Sequence, residues 1–543
     1  MTGIAFFVLL LAALVVNAPA EVVTPEASAF FFLLGGIGLW RYSWWLLHLV
    51  RSNIYRRWTF PRWRRVAQRM TPRIRARQST APNVNYPLDG GSSGNGVVVG
   101  EILPAEKDEP PDLPPILAET FIVITSFRIP TETSMGCFSA AVDEAISCGR
   151  PCTIVASIVE MADQRTIKTI FASRRPPSHV RLTFVRLKGK GKREALAAAL
   201  NAVSRMRPGA GASVIVMDGD TLLPPGTIAR TLVFFDLMPS VGGITTDEDC
   251  RVRSKNPWLI DWHRLRFVQR HMLMSSLALS KRLMAMTGRL SAFRAEIATD
   301  PDFIAIVADD HLEHWRLGRI DFLTGEDKST WFWLLKKRWD MLYVPDVKVV
   351  TIEHPPSERF VSASSQLMVR WFGNMLRTNG RAIRLGLRRM PPFFWWCLID
   401  QRISIWTPLI GPVAVTLLSL TSSVGYIYAY LIWVLATRLL LSLGLLTVRP
   451  WTTGSVPILL YYSQVFGAMV KVYVSFRLER QAWTRQNITL ETPQGNWNDR
   501  VSLWTTRYIH GLSLAALVVL VAMMTGVLAW PGVPDVTLLK PSN

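Results

Sequence analysis

The sequence has few cysteines, and their spacing argues against two kinds of site. Only five occur in 543 residues, at positions 137, 148, 152, 250 and 397, and no two of them form a Cys-x-x-Cys pair. Such pairs mark most zinc and redox sites, so their absence argues against both roles. Four of the five fall in a stretch that we predict to be cytoplasmic, where thiols stay reduced. We therefore interpret the cysteines as reduced core residues.

Acidic residues are also scarce relative to basic ones. The chain has 40 Asp and Glu against 61 Lys and Arg, a formal net charge of +21. Ten arginines and no acidic residue fall between Arg51 and Arg77, directly after an apolar run. That placement is typical of the cytoplasmic flank of a membrane helix. Membrane lipids or an acidic product are therefore favoured as partners, and no nucleic acid is expected.

The N-terminus lacks the positive charge of a secretory signal, although Ala18-Pro19-Ala20 resembles a cleavage site. A second apolar run at 27–50 predicts a retained helical hairpin with both ends inside. Spans are also predicted at 405–420, 424–446 and 511–530, with the C-terminus outside. The run 458–476 is interrupted by Gln464 and Lys471. Crossing there would place several arginines outside, so this run is predicted to lie in the interface.

Between the membrane segments, the pattern is that of an α/β domain. Residues 79–115 are rich in Gly, Pro and Ser, which predicts a flexible linker. Apolar runs at 121–125, 153–159, 182–187 and 214–217 predict parallel strands, with a helix at 194–206 between the last two. A doubly wound sheet follows. The predicted organisation is a transmembrane hairpin (1–50), a basic flank and linker (51–118), an α/β domain (119–355), amphipathic interface helices (356–404), two transmembrane helices (405–447), an interface helix with a possible gating loop (448–507), and a last transmembrane helix with an outer tail (508–543).

Two carboxylates follow the last predicted strand. Val214-Ile-Val-Met is followed by Asp218-Gly219-Asp220. At the carboxyl end of a strand such a pair faces the ligand crevice, where its oxygens can hold Mg²⁺ or Mn²⁺ against a diphosphate. Asp-x-Asp alone is also common in turns. Behind four apolar strand residues we favour the metal site.

Two further segments carry charged groups at the start of a predicted helix. Gly325-Glu326-Asp327 precedes an aromatic helix, and Asp327 is placed to accept a proton from a sugar hydroxyl. The alternative is simple helix capping. The basic loop 188–193, which includes Lys192, has the glycine spacing and cations that suit a diphosphate. A solvated run of charge is the alternative there.

In this order, the segments resemble the family-2 processive polysaccharide synthases, which include the cellulose, chitin and hyaluronan synthases. The family's Gln-x-x-Arg-Trp motif corresponds to Gln366, Arg370 and Trp371, with one extra residue after the glutamine. The resemblance implies a GT-A-like (Rossmann-like) domain inserted between transmembrane helices. It also implies that Arg370 contacts phosphate, and that Trp371 and Gln366 face the acceptor sugar.

Longer phrases resemble the catalytic subunits of bacterial alginate synthases. They include Thr125-Ser-Phe-Arg, Val-Glu160-Met, His-Trp315-Arg-Leu-Gly-Arg and the segment 475–487. The resemblance implies transfer of mannuronate from GDP-mannuronate to a β-1,4-linked chain by an enzyme of the bacterial inner membrane. The donor-binding residues it implies are Thr125, Glu160, Asp163, Lys192, Asp218 and Arg370. Trp315 would contact the acceptor. Trp483-Thr-Arg485 resembles the Trp-Gly-Thr-Arg gating-loop motif of the chitin and hyaluronan synthases without its glycine, and an interface anchor is the alternative for Trp483.

The same resemblance implies partners. They are a cyclic-di-GMP-binding PilZ-type co-polymerase subunit and a periplasmic and outer-membrane alginate secretion complex. Direct binding of cyclic-di-GMP is disfavoured, because Arg73 and Arg77 supply only half of the motif and no Asp-x-Ser-x-x-Gly accompanies them. Two other hypotheses stay open: a synthase using another nucleotide sugar, and a non-catalytic scaffold of a secretion complex.

Overall fold

The computed structural model describes residues 2–18, 25–78, 118–188, 191–321, 323–483, 488–489 and 497–529. The chain divides into two compact units. One comprises Met1–Leu47, Ile399–Arg480 and Glu491–Asn543, and the other His48–Leu398 and Gln481–Leu490. The predicted linker 79–115 lies outside the described residues.

The larger unit contains one eight-stranded sheet, in the order β3-β2-β1-β4-β7-β6-β10-β5, and two small antiparallel pairs, β8-β9 and β11-β12. The strands are β1 (Thr120–Thr125), β2 (Cys152–Ile158), β3 (Val180–Arg186), β4 (Ser213–Asp218), β5 (Thr221–Leu222), β6 (Val241–Val252), β7 (Ser291–Arg294), β8 (Leu312–His314), β9 (Gly318–Ile320), β10 (Asp340–Glu353), β11 (Ala482–Trp483) and β12 (Ile488–Thr489).

The four predicted strands form the parallel half of this sheet. Strand β1 pairs in parallel with β2 and β4, and β2 pairs in parallel with β3. The other half is mixed, because β7 runs antiparallel to both β4 and β6, and β5 runs antiparallel to β10. The strands of this mixed half were not among those that the sequence predicted. Its strands include a four-residue segment and the polar run Thr245-Thr246-Asp247-Glu248-Asp249, neither of which has the apolar pattern of a buried strand.

Helices make up most of the remainder. They are α1 (Thr2–Val16), α2 (Pro25–Ile54), α3 (Phe60–Gln78), α4 (Thr131–Ser147), α5 (Met161–Ser173), α6 (Lys192–Arg205), α7 (Thr227–Leu237), α8 (Pro257–Ala278), α9 (Ala295–Ala298), α10 (Pro301–Ala308), α11 (Glu326–Lys336), α12 (Phe360–Arg384), α13 (Pro392–Ile403), α14 (Thr407–Thr421), α15 (Gly425–Leu446), α16 (Val456–Ser475) and α17 (Trp497–Met524). A π-helical turn, Tyr55–Thr59, joins α2 to α3. Helix α12 has the predicted amphipathic period, with Ala363, Ser364, Leu367 and Met368 buried on one face.

The smaller unit is built from apolar helices. Within the described residues, four helical segments are long and apolar enough to cross a membrane: Pro392–Thr421, Gly425–Leu446, Val456–Ser475 and Arg500–Met524. The third of these, Val456–Ser475, contains most of the run that we predicted to lie in the interface because of its flanking arginines. By length and composition it is also able to cross, although it is the least apolar of the four. Charged groups inside this unit have partners, since Arg41 pairs with Asp400 and Arg438 donates to Gln464.

Part of the basic flank is an integral part of the larger unit. Arg64 on α3 is buried, and its guanidinium donates two hydrogen bonds to Asp346, at 2.7 and 2.6 Å. It also donates to the carbonyl oxygen of Arg230 at 2.7 Å. The neighbouring Arg65 is exposed. Position within a run of arginines therefore does not decide which of them are available to lipid.

We predict that Arg64→Ala lowers the free energy of unfolding by about 2 kcal/mol, because it leaves the Asp346 carboxylate without its charged donor. Arg65→Ala is the matched control and should change little. Unfolding can be followed in detergent with a thiol-reactive fluorophore, since Cys137 and Cys250 are buried. Equal midpoints for the two variants would show that the α3 contact does not stabilise the unit.

Candidate active site

A cavity of about 280 Å³ opens at the carboxyl ends of the parallel strands. The register of β1 and β4 sets Thr125 beside Asp218, and the amide of Gly219 donates to the carbonyl of Thr125 at 3.0 Å. A Cβ atom on Gly219 would lie 2.9 Å from that carbonyl oxygen. Only glycine therefore fits between the two aspartates.

The cavity brings together residues that are far apart in the sequence. Seven of the residues predicted to act at the site line it: Thr125, Lys192, Asp218, Asp220, Asp327, Arg370 and Trp371. They come from the ends of β1 and β4, the N-termini of α6 and α11, and one face of α12. These are the positions where ligand-binding groups of α/β folds usually lie.

Lys192 connects three of these elements. Its Nζ lies 2.6 Å from Oδ1 of Asp218 and also forms an ion pair with Glu326. Burial alone would lower the pKa of Lys192, but Asp218 and Glu326 more than offset this and raise it above its usual value. Lys192 therefore stays protonated and holds a positive charge next to the Asp-Gly-Asp motif.

Asp327, the general base that the sequence predicts, lines the cavity. Burial, and then the adjacent Glu326, raise its pKa above the usual range, while Lys328, Lys192 and Arg270 act in the opposite direction. Glu326 is less suitable, because it is buried and paired with Lys192. The raised pKa increases the proton affinity of the Asp327 carboxylate, as a base requires.

Asp310, a buried carboxylate near α11, has a structural role. It is buried, and Arg381 donates to its two oxygens at 2.6 and 2.8 Å. Burial would raise its pKa, but hydrogen bonds and the charge of Arg381 lower it. It does not line the cavity.

Several other predicted residues lie away from the cavity. Gln366 is exposed and donates to Ser362 on its own helix at 3.3 Å. Trp315 is 83% exposed in the β8-β9 hairpin. Glu160 and Asp163 begin α5, just beyond the lining residues Ser157, Ile158 and Val159. Their roles stay predictions. Trp483 lies on β11, and Arg485 is outside the described residues.

Comparison with known proteins gives the family. Residues 118–374 match the family described as glycosyltransferase like family 2. The chain is 40% identical over 506 residues to glycosyltransferase alg8 of Pseudomonas syringae pv. tomato, covering 93% of this chain and 94% of that protein. It is 39% identical over 508 residues to glycosyltransferase alg8 of Azotobacter vinelandii, with the same coverage. The chain belongs to the glycosyltransferase alg8 family.

Among solved structures, the chain is similar to the mannosyltransferase PcManGT of Pyrobaculum calidifontis in complex with GDP-Man and Mn²⁺. The identity is 16% and the TM-score 0.40, over 68% of this chain and 90% of that one. The predicted glycosyltransferase class and GT-A-like α/β fold are confirmed by the family match. The chain is thus a family-2 glycosyltransferase with apolar helices long enough to cross a membrane.

The sequence did not identify two residues of this glycosyltransferase's site, Gly288 and Arg289, which lie in the loop before β7 and line the cavity. A Cβ on Gly288 would lie 2.9 Å from Oδ2 of Asp218 and 3.0 Å from Nζ of Lys192. Arg289 donates to Glu353 at 2.7 Å and to Glu248 at 3.2 Å. A lone Gly-Arg dipeptide carries no sequence signal, so only the structure shows these contacts.

The carboxylates fit a metal that is shared with a substrate. Among the described residues, no group of three or more His, Cys, Asp or Glu side chains could hold a cation. Asp218 and Asp220 nevertheless line one cavity together. Mg²⁺ is commonly held by one or two carboxylates plus substrate phosphates, so two protein ligands suffice.

We predict that Gly288→Ala lowers nucleotide affinity by about tenfold, because the added methyl group must displace Asp218 or Lys192. Gly209→Ala is the matched control, since a Cβ there meets nothing within 4 Å. Isothermal titration calorimetry with GDP measures the effect. Equal affinity in both variants would show that the Asp218–Lys192 contact is not part of the nucleotide site.

We also predict that Glu326→Gln shifts the acid limb of the kcat profile to lower pH. A carboxylate base loses activity as the pH falls through its pKa, and the charge of Glu326 raises the pKa of Asp327. Removing that charge lowers the pKa, so activity persists further into acid. Asp321→Asn, at an exposed carboxylate outside the cavity, is the control. An unmoved or upward-shifted limb in Glu326→Gln would contradict the assignment of Asp327.

Proposed function

We propose that this glycosyltransferase transfers mannuronate from GDP-mannuronate to a growing β-1,4-linked polymannuronate chain, the alginate precursor, with inversion at the anomeric carbon. The observation that carries the proposal is the cavity, where Asp327, Lys192 and the Asp-Gly-Asp carboxylates meet. The choice of donor is supported by the long phrases shared with alginate synthases and by the family assignment.

The reaction needs a base on the acceptor side of the sugar. In the proposed mechanism, Asp327 accepts the proton of the acceptor hydroxyl as its oxygen attacks the anomeric carbon, and the bond from that carbon to the diphosphate breaks. The electron pair leaves with the GDP. General-base catalysis of this kind contributes about 10²- to 10⁴-fold in rate. The upward-shifted pKa of Asp327 favours proton acceptance.

The leaving diphosphate needs positive charge. Lys192 and Arg370 both line the cavity and would contact phosphate oxygens. Asp218 and Asp220 would be the protein ligands of Mg²⁺ or Mn²⁺, which when bound supplies neutralisation of the diphosphate charge. The ion pair between Lys192 and Asp218 keeps the lysine at this position before the donor arrives.

We further propose that the apolar helices hold the enzyme in the bacterial inner membrane with the larger unit in the cytoplasm, and that the polymer passes outward through the membrane. Four described helices with the length and composition of spans support this location. A PilZ-type subunit that binds cyclic-di-GMP and a secretion complex for alginate are the proposed partners.

The donor is tested by incubating membranes that contain the protein with labelled GDP-mannuronate, UDP-glucose, UDP-N-acetylglucosamine and UDP-glucuronate in parallel. We expect polymer from GDP-mannuronate alone, degraded by alginate lyase. Polymer from another donor would replace the proposed substrate. No polymer from any donor, with the presumed partners co-expressed, would favour a non-catalytic scaffold.

Two substitutions separate chemistry from donor binding. We predict that Asp327→Asn abolishes polymer formation and retains GDP affinity, because the amide keeps the size of the side chain but cannot accept a proton. In Asp220→Ala, GDP affinity in the presence of Mg²⁺ should itself fall about tenfold or more, because a ligand of the bridging cation is lost. EDTA should abolish polymer formation by the wild type.

Label incorporation measures polymer, and calorimetry measures affinity. Asp309→Asn, at an exposed carboxylate outside the cavity, controls for loss of negative charge and should change neither. Polymerisation by Asp327→Asn at a rate near that of the wild type would require another base. Full activity in EDTA would remove the metal from the mechanism.

A further inference from the structure

Beside the cavity lies an arginine, Arg266, whose close contacts are with aromatic rings. Arg266 is on α8, and its guanidinium carbon lies 3.3 Å from the ring centroid of Trp371, a residue that lines the cavity. It also lies 5.1 Å from the ring of Trp262. Trp262 stacks on Trp371, with 5.7 Å between the ring centroids. The two aromatic rings and the arginine therefore form one cluster, which meets the cavity through Trp371.

Within the part of the chain that the structure describes, the Arg266 guanidinium forms no hydrogen bond and no ion pair. Its five N–H donors contrast with those of Arg289, which pairs with Glu353 and Glu248. The side chain is only half-buried, and among the described residues none of its nitrogens is enclosed without a partner, so all of them reach solvent.

The surrounding charges disfavour the protonated form of Arg266. Burial, and then Arg289, lower the pKa of Arg266 to about 9, and Arg270 and Arg370 act in the same direction. The carboxylate that opposes them is Glu353, which already accepts a hydrogen bond from Arg289 at 2.7 Å. The neighbouring His263 adds no positive charge at neutral pH, because burial lowers its pKa to about 4. The cluster therefore favours an anion that the protein itself does not supply.

We propose that Arg266, together with the ring of Trp371, forms a subsite that binds the carboxylate of a uronate residue in the acceptor chain. The proposal rests on the proposed function for the identity of the sugar. Guanidinium groups bind carboxylates through two parallel hydrogen bonds, and aromatic rings pack against sugar rings. A neutral sugar would fill the same space without satisfying Arg266, so this residue distinguishes acidic from neutral acceptors.

A phosphate of the donor has related chemistry, so the experiment must separate the two anions. Full-length protein in detergent is titrated calorimetrically with tetramannuronate, with the neutral β-1,4-mannotetraose and with GDP. The variants are Arg266→Gln and Arg266→Lys. Arg264→Gln is the matched control, because Arg264 is exposed on the same helix and, unlike Arg266, has no contact with the ring of Trp371 among the described residues.

We expect Arg266→Gln to weaken tetramannuronate binding by about tenfold to a hundredfold, the range for loss of a charged hydrogen bond. Binding of mannotetraose and GDP should be unchanged. The affinity of Arg266→Lys for tetramannuronate should lie between those of Arg266→Gln and the wild type, since lysine keeps the charge but loses the planar pair of donors. Arg264→Gln should behave as the wild type.

Three results would overturn the proposal. Weaker GDP binding in Arg266→Gln, with tetramannuronate unaffected, would assign the arginine to the diphosphate. If Arg266→Gln weakened binding of tetramannuronate and of mannotetraose equally, the arginine would only position the ring of Trp371. Wild-type protein that does not prefer tetramannuronate to mannotetraose would show that no such subsite exists. Binding is measured without turnover, so failure of the GDP-mannuronate assay is a separate result.

Discussion

The ammonium group of Lys192 is the contact on which the arrangement of the active site depends. It pairs with Asp218 at the end of one strand and with Glu326 at the start of a helix more than a hundred residues later. Without a cation between them, these carboxylates would repel each other and Asp327 in a part-buried site. The close approach also explains a glycine, because Gly288 lies where any side chain would touch both partners.

The residue after Lys192, Arg193, stabilises the segment around the start of α11 from the protein interior. Arg193 is buried and donates to the carbonyl oxygens of Ile306, Val307 and Leu323 and to the hydroxyl of Ser329. Consecutive positions of one helix thus present one cation to the cavity and one to the interior. Ser329 in turn donates to Asp310, which Arg381 holds. The first turn of α11, which carries Asp327, is therefore fixed by charged hydrogen bonds from two helices, α6 and α12.

What the sequence could predict was local. The Asp-Gly-Asp motif follows four apolar residues of its own strand, and the apolar runs of the parallel half are continuous, so neither needs a distant partner to be recognised. Gly288, Arg289 and the ion pair of Glu326 depend on contacts between segments that are remote in the chain, and no local pattern marks them. The basic loop shows both outcomes. Lys192 lines the cavity, whereas the side chain of the adjacent Arg193 leaves the helix in another direction and is buried. The sequence alone does not distinguish these two neighbouring cations.

Charge shows the same limit more sharply, because the formal net charge of +21 does not say what any one arginine does. Arg64 stabilises the fold through Asp346, and Arg381 does so through Asp310. Such arginines carry no information about ligands, since their charge is compensated where they lie. Arg266 differs because its guanidinium lies over an aromatic ring, that of Trp371. Burial, Arg289, Arg270 and Arg370 lower its pKa, while Glu353, which already accepts a hydrogen bond from Arg289, raises it. A ligand that brings negative charge next to Arg266 would offset the repulsion from Arg289, Arg270 and Arg370. If a uronate carboxylate binds there, as proposed, acidic acceptors gain affinity that neutral ones do not.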